Sequence, residues 1–172
     1  MKTLVLISFF ALSLSAKLLT SPIEAMQSHF GTETTVVKKN ILLNKELFTK
    51  VQQAAKVKLD TKIYRVYIAK KADKAVGYGI LISRKVRSKN AVTLYIIEDD
   101  QLQTIEIIAF NEPLEYIPSR TWQQQFQKVP VSKQLRLKKE IPTITGATLS
   151  ARAVTDGSQV AFAIYKELFK GE

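Results

Sequence analysis

Residues 63–110 read IYRVYIAKKADKAVGYGILISRKVRSKNAVTLYIIEDDQLQTIEIIAF, and their pattern decides the fold class. Residues 63–69 are rich in branched and aromatic side chains. Val76, Tyr78, Ile80 and Ile82 then alternate, with Gly77 and Gly79 on the opposite face, where a glycine lets something come close to the backbone. In the third run Val92, Leu94 and Ile96 share one side, and Tyr95 and Ile97 the other. Asp99 and Asp100 make a tight turn into a fourth run, 101–110. Period-two alternation with links this short predicts four antiparallel strands in a meander, because parallel strands need long crossovers. Arg84, Lys85, Arg87 and Lys89 cluster at the second link, as the wet tip of a hairpin does.

On the N-terminal side, Leu47, Phe48, Val51, Ala54 and Ala55 recur at helical spacing, with Asn44 as a cap. On the other side, Pro113 and Pro118 punctuate the exit from the sheet, and Ser119 can cap a short helix through Trp122, Gln125 and Phe126. The alternating Leu135 and Leu137 predict a further strand within 128–140. Val154, Ala161, Ile164, Tyr165 and Leu168 predict a last helix, from near Ser150 to about Lys170, with one face in the core. The expectation is an α+β domain: a twisted antiparallel sheet with packed helices.

Lys2 followed by an apolar run over 4–14 and the small residues Ser13, Ser15 and Ala16 reads as a secretion signal, with a second candidate cut after Ala25. The chain thus divides into 1–25, signal and start of the mature chain; 26–43, a linker with an early edge strand as the alternative; and 44–172, the domain. With 46% hydrophobic and 24% charged residues, the chain should be globular. The absence of cysteine excludes a lipoprotein, disulfides, cysteine-ligated iron–sulfur clusters and CxxCH haem. A single histidine, His29, argues against histidine-cluster metal sites and a Ser–His–Asp triad. Neither GxGxxG nor a Walker loop is present. Lys and Arg number 26 against 15 Asp and Glu, a net charge of +11. Export makes nucleic acid a poor partner for that charge. A solvated basic surface, or weak docking to anionic headgroups or an acidic redox partner, fits better.

One segment carries chemistry. In Thr145-Gly146-Ala147-Thr148-Leu149-Ser150, Gly146 permits unusual backbone angles and Ala147 adds little bulk. A helix follows, whose first amides lack internal partners and whose dipole favours an anion. With hydroxyls on Thr145, Thr148 and Ser150, the spot is a candidate phosphate site. A capped helix start behind a glycine turn accounts for the same residues.

This segment, continued by Arg152-Ala153-Val154-Thr155-Asp156-Gly157, resembles the signature of the FMN-binding domain family, which includes the flavin-carrying peripheral subunits of the Rnf and Na⁺-translocating NADH:quinone oxidoreductase complexes. Phe110-Asn111-Glu112-Pro113, Tyr116, Trp122 and Phe126 are similar to stand-alone exported members. The resemblance implies a periplasmic electron carrier rather than a self-contained catalyst. Its FMN would be joined by a phosphoester bond to Thr148, installed by a separate flavin transferase from FAD. Gly146 and Ala147 would leave room for the phosphate, Thr145 would hydrogen-bond nearby, and Leu149 and Ser150 would start the helix facing it. A redox partner, such as a membrane electron-transport complex, is implied too. The family carries an aspartate six residues before the acceptor threonine; Pro142 stands there, with Glu140 out of register, which keeps noncovalent FMN in view. Tyr78, Tyr116 or Trp122 could stack on the ring, or be ordinary core. Glu112 could lie near the ring or cap the following turn. A flavin-dependent reductase of a small acceptor and a flavin-free interaction module are the alternative functions.

Overall fold

The computed structural model describes residues 17–171. The signal-like stretch 1–16 lies outside them. The expected meander forms as β3 (Ile63–Lys71), β4 (Lys74–Lys85), β5 (Asn90–Glu98) and β6 (Gln101–Phe110), all antiparallel. Two-residue turns join β3 to β4 through Ala72 and Asp73, and β5 to β6 through Asp99 and Asp100, all four at positive φ. That backbone matches the right-handed twist of paired strands.

The stretch read as a linker with an edge strand as its alternative is structured throughout. Helix α1 (Pro22–Phe30) starts in a capping box between Ser21 and Glu24, and β2 (Thr35–Leu42) pairs with β3 along its whole length. A two-residue β1 (Lys17–Leu18) pairs with the end of β6. The spatial order is β1-β6-β5-β4-β3-β2, and β7 (Val129–Pro130) pairs with the other end of the β6 edge. The expected strand over 128–140 is therefore reduced to β7 and one isolated bridge between Leu137 and Ile141. Its alternating leucines belong to a strap instead. Leu135 is buried in the main core and Leu137 packs against it, while turns at Lys133 and Lys139 break any ladder.

Helices cover both faces of the sheet. On one face lie α2 (Lys45–Ala55), capped by Asn44 Oδ1 on the Leu47 amide at 2.8 Å, and the long α4 (Thr148–Leu168), which begins two residues before the expected start. Val51, Tyr64, Val66, Ile80, Tyr95, Ile97, Phe162 and Ile164 fill the core between them. On the other face α1 sets Met26 and Phe30 against Tyr67, Leu94 and Ile96. Gly77 and Gly79 make that approach possible, because a Cβ at either would run into Phe30 or Met26. The close approach expected at these glycines is thus made by a helix of this chain.

Candidate functional site

The segment 141–147 reaches α4 under two restraints. Ile141 is buried in the core, and the Trp122 indole Nε1 donates to the Pro142 carbonyl at 2.9 Å. Trp122 belongs to the short helix α3 (Arg120–Gln123), capped by Ser119, and packs on Phe126 with ring centroids 5.3 Å apart. So Trp122 fixes the backbone at Pro142, and its ring is part of the core. Glu140 is committed elsewhere: it accepts from the Arg136 guanidinium at 2.7 and 3.1 Å and from the Arg136 amide at 3.0 Å. The Arg136 hydrogen bond holds its carboxyl down at about 2.

The chain then turns into α4. The Ala147 amide donates to the Ile144 carbonyl at 3.1 Å, and Gly146 takes φ +78°, a left-handed conformation that suits glycine. A Cβ on Gly146 would meet no atom within 4 Å, so the turn is open to its surroundings. Ala147 sits at the cap position with a side chain that cannot accept a hydrogen bond. The amides of Thr148, Leu149 and Ser150 consequently have no acceptor among the described residues. This is the donor set that an anion at a helix start uses. No acidic residue lies in the first turn to compete with it.

The side chains of 145–150 divide in two. Thr145 and Gly146 are exposed, Thr148 is half-buried and Leu149 is 43% exposed. Thr148 Oγ1 donates to the Ile144 carbonyl at 3.2 Å, so the hydroxyl sits beside the turn and outside the packed core. Ala147 and Ser150 are buried, Ser150 at 1% exposure with its Oγ lacking a partner. Arg152, exposed and one turn beyond Thr148, lies on the same helix face and adds a cation that the hydroxyl-and-glycine pattern does not signal.

The other candidates have settled places of their own. Tyr78 packs against Tyr165 and Phe169 at the far end of α4, roughly 25 Å along the axis from Thr148 at 1.5 Å per residue. Tyr116 lies under the Arg87 guanidinium, 5.9 Å from the ring centroid, in a small cluster with Ala153. Glu112 caps a turn, but one that precedes it in the chain and not the turn that follows. Its carboxylate accepts from the amides of Arg87, Ser88 and Lys89 at 3.2, 2.7 and 2.8 Å and from Ser88 Oγ at 3.2 Å, closing the tip between β4 and β5. These bonds, the Lys89 amide foremost, lower its pKa. Asp156, two turns along α4 from Thr148, faces Arg84 at 3.9 Å; burial raises its pKa against the pull of Arg84 and Arg152. Gly157 serves packing, since a Cβ there would overlap Tyr95 Oη, which donates to the Val154 carbonyl at 2.7 Å.

Among the described residues no cluster of histidine or acidic side chains could hold a metal ion, and no helix is long and apolar enough to cross a membrane. No protein-family model matches the chain, and no curated protein matches it.

Proposed function

We propose that this protein is an exported electron carrier that holds FMN by its phosphate at the start of α4, through a phosphoester bond to Thr148. The observation that carries the proposal is the half-buried Thr148 hydroxyl on an uncapped helix start, directly after an open Gly146 turn and the small Ala147. The three unpartnered amides and Arg152 supply hydrogen bonds and positive charge for a phosphate. FMN, when bound, supplies the redox chemistry; the chain supplies the anchor and the surroundings of the ring. Thr148, whose hydroxyl donates to the Ile144 carbonyl, would be the acceptor for the FMN phosphate, with a base of the transferase taking its proton and AMP as the leaving group from FAD. The net positive charge suits an acidic redox partner or an anionic membrane surface beside an electron-transport complex.

Coexpression with a flavin transferase, denaturing electrophoresis and blue-light imaging test the anchor. The wild type gives a fluorescent band, and Thr148→Val gives none. A yellow protein whose band is dark has noncovalent FMN. A protein that stays colourless after coexpression and FMN addition refutes the flavin reading and leaves an interaction module.

A further inference from the structure

Helix α1 spans nine residues and covers only part of its face of the sheet, over Tyr67, Ala69, Gly77, Gly79, Leu94 and Ile96. Side chains alternate along each strand, so the same face continues past the helix to Arg65 and Ile63 on β3. The register sets Asn40 and Leu42 beside them on β2, and Leu81 beside Arg65 on β4. Leu42 is 72% exposed, and its cross-strand neighbour Ile63 is 62% exposed. Ile63, Arg65, Leu81, Ser83 and Val92 line a shallow open dish of about 180 Å³.

Lys38, Arg65 and Lys85 belong to this face by the same alternation, and all three are exposed. None of them has an ion-pair partner among the described residues. Leu42, Ile63 and Lys85 stand at one end of the sheet, where the β4–β5 tip adds Arg87 and Lys89. The basic cluster of the sequence therefore divides: Arg84 turns to Asp60 and Asp156, and the rest stay with the open face. Two carboxylates of this end are occupied, Asp60 by Arg84 and Glu112 by the amides of the tip.

We propose that this uncovered half-face docks to an anionic lipid surface. Leu42 and Ile63 enter the headgroup layer, while Lys38, Arg65, Lys85 and the tip cations meet the phosphates. Charge complementarity selects the occupant. The cores of protein–protein interfaces are depleted of lysine and enriched in aromatic side chains, whereas the exposed groups here are aliphatic and cationic. A second copy would set like charges against each other, and Lys38 and Lys39 on the β2 edge turn other strands away. A headgroup layer has no fixed shape to match, so a flat face with two protruding aliphatics suffices. The inference stands without the flavin reading. Its bearing on that reading is one of place: Ala153 packs with Val86 and Ala91, so the start of α4 lies at the docked end of the sheet.

The test cosediments the full chain with vesicles of phosphatidylcholine alone, and with vesicles in which about a third of the lipid is phosphatidylglycerol. The leader is present in every variant, and the neutral vesicles report its own contribution. The wild type should prefer the anionic vesicles by about a hundredfold or more, since each cation near the surface is worth about fivefold. Arg65→Gln with Lys85→Gln should weaken that binding roughly twentyfold. Leu42→Ser with Ile63→Ser leaves the charge unchanged and should weaken it about tenfold. Lys133→Gln with Lys139→Gln removes the same charge from the strap on the opposite face and should stay within about twofold of the wild type. All six positions are exposed, and circular dichroism checks that each variant is folded. Equal losses from the two charge pairs would mean attraction by net charge alone and overturn the assignment, as would an aliphatic pair that binds like the wild type. A wild type that ignores anionic vesicles yet holds polyglutamate through Arg65 and Lys85 gives the face to an acidic protein and overturns the lipid. A colourless protein refutes the flavin reading and leaves these results as they are.

Discussion

Gly157 and Tyr95 show how a residue in the motif segment can be required without touching a ligand. Glycine inside a helix costs about 1 kcal/mol relative to alanine. It stands here because the buried Tyr95 hydroxyl, bonded to the Val154 carbonyl, occupies the space a methyl group would take. Gly157→Ala should therefore lower stability by about 1–2 kcal/mol, the overpacking cost exceeding the gain in helix propensity. Urea denaturation measures it, and on a Tyr95→Phe background the penalty should shrink. Glu112 gives a pH signature. Its folded pKa lies below that of the unfolded chain, so its contribution is present above the unfolded carboxylate value and is lost as pH falls through the folded one. Glu112→Gln should reduce stability at pH 7 and flatten the loss on acidification through the carboxylate range, followed by thermal melts at a series of pH values. At this scale the Gly146 turn and the uncapped helix start at Thr148 were legible because their residues are contiguous. Gln159, buried without a partner for its Nε2, was not, since the strap residues 134–138 that share its surroundings lie more than twenty positions away in sequence.

The elements from β3 to β6 were readable because each buries alternate side chains and their links are short enough to force neighbours together. Helix α1 escaped, and β2 was reached only as the edge-strand alternative to a linker. The apolar residues that α1 buries answer to Gly77 and Gly79 about fifty positions later. Strand β2 is an edge with two adjacent lysines, mostly exposed on both sides, so it shows little alternation. The strap over 134–138 misled in the opposite sense: its leucines alternate because they dip into the core between turns. Met26 measures what α1 contributes. Met26→Ala should cost about 2–4 kcal/mol, the usual range for emptying a fully buried site of this size. Loss of amide-exchange protection in β3 and β4 alone, with α4 unaffected, would show that the α1 layer yields separately.

As a whole the molecule is a sheet between two helical layers, and its N-terminal layer bears on processing. A cut after Ala25 would sever α1 in its middle, at a residue only 8% exposed, and discard β1 and the capping box. Cleavage within 13–16 leaves both intact. Should the proposed signal be removed, intact mass should place the mature N-terminus no later than Lys17; a terminus at Met26 would mean that the first layer is dispensable.

Strand β1 makes that boundary consequential. Among the described residues the sheet begins with Lys17 opposite Phe110 and Leu18 opposite Ala109, at the end of β6. Should the proposed signal be cut within 13–16, the new terminus would lie within a few residues of that pairing, so fraying from the end would first release β1 and uncover this part of the β6 edge.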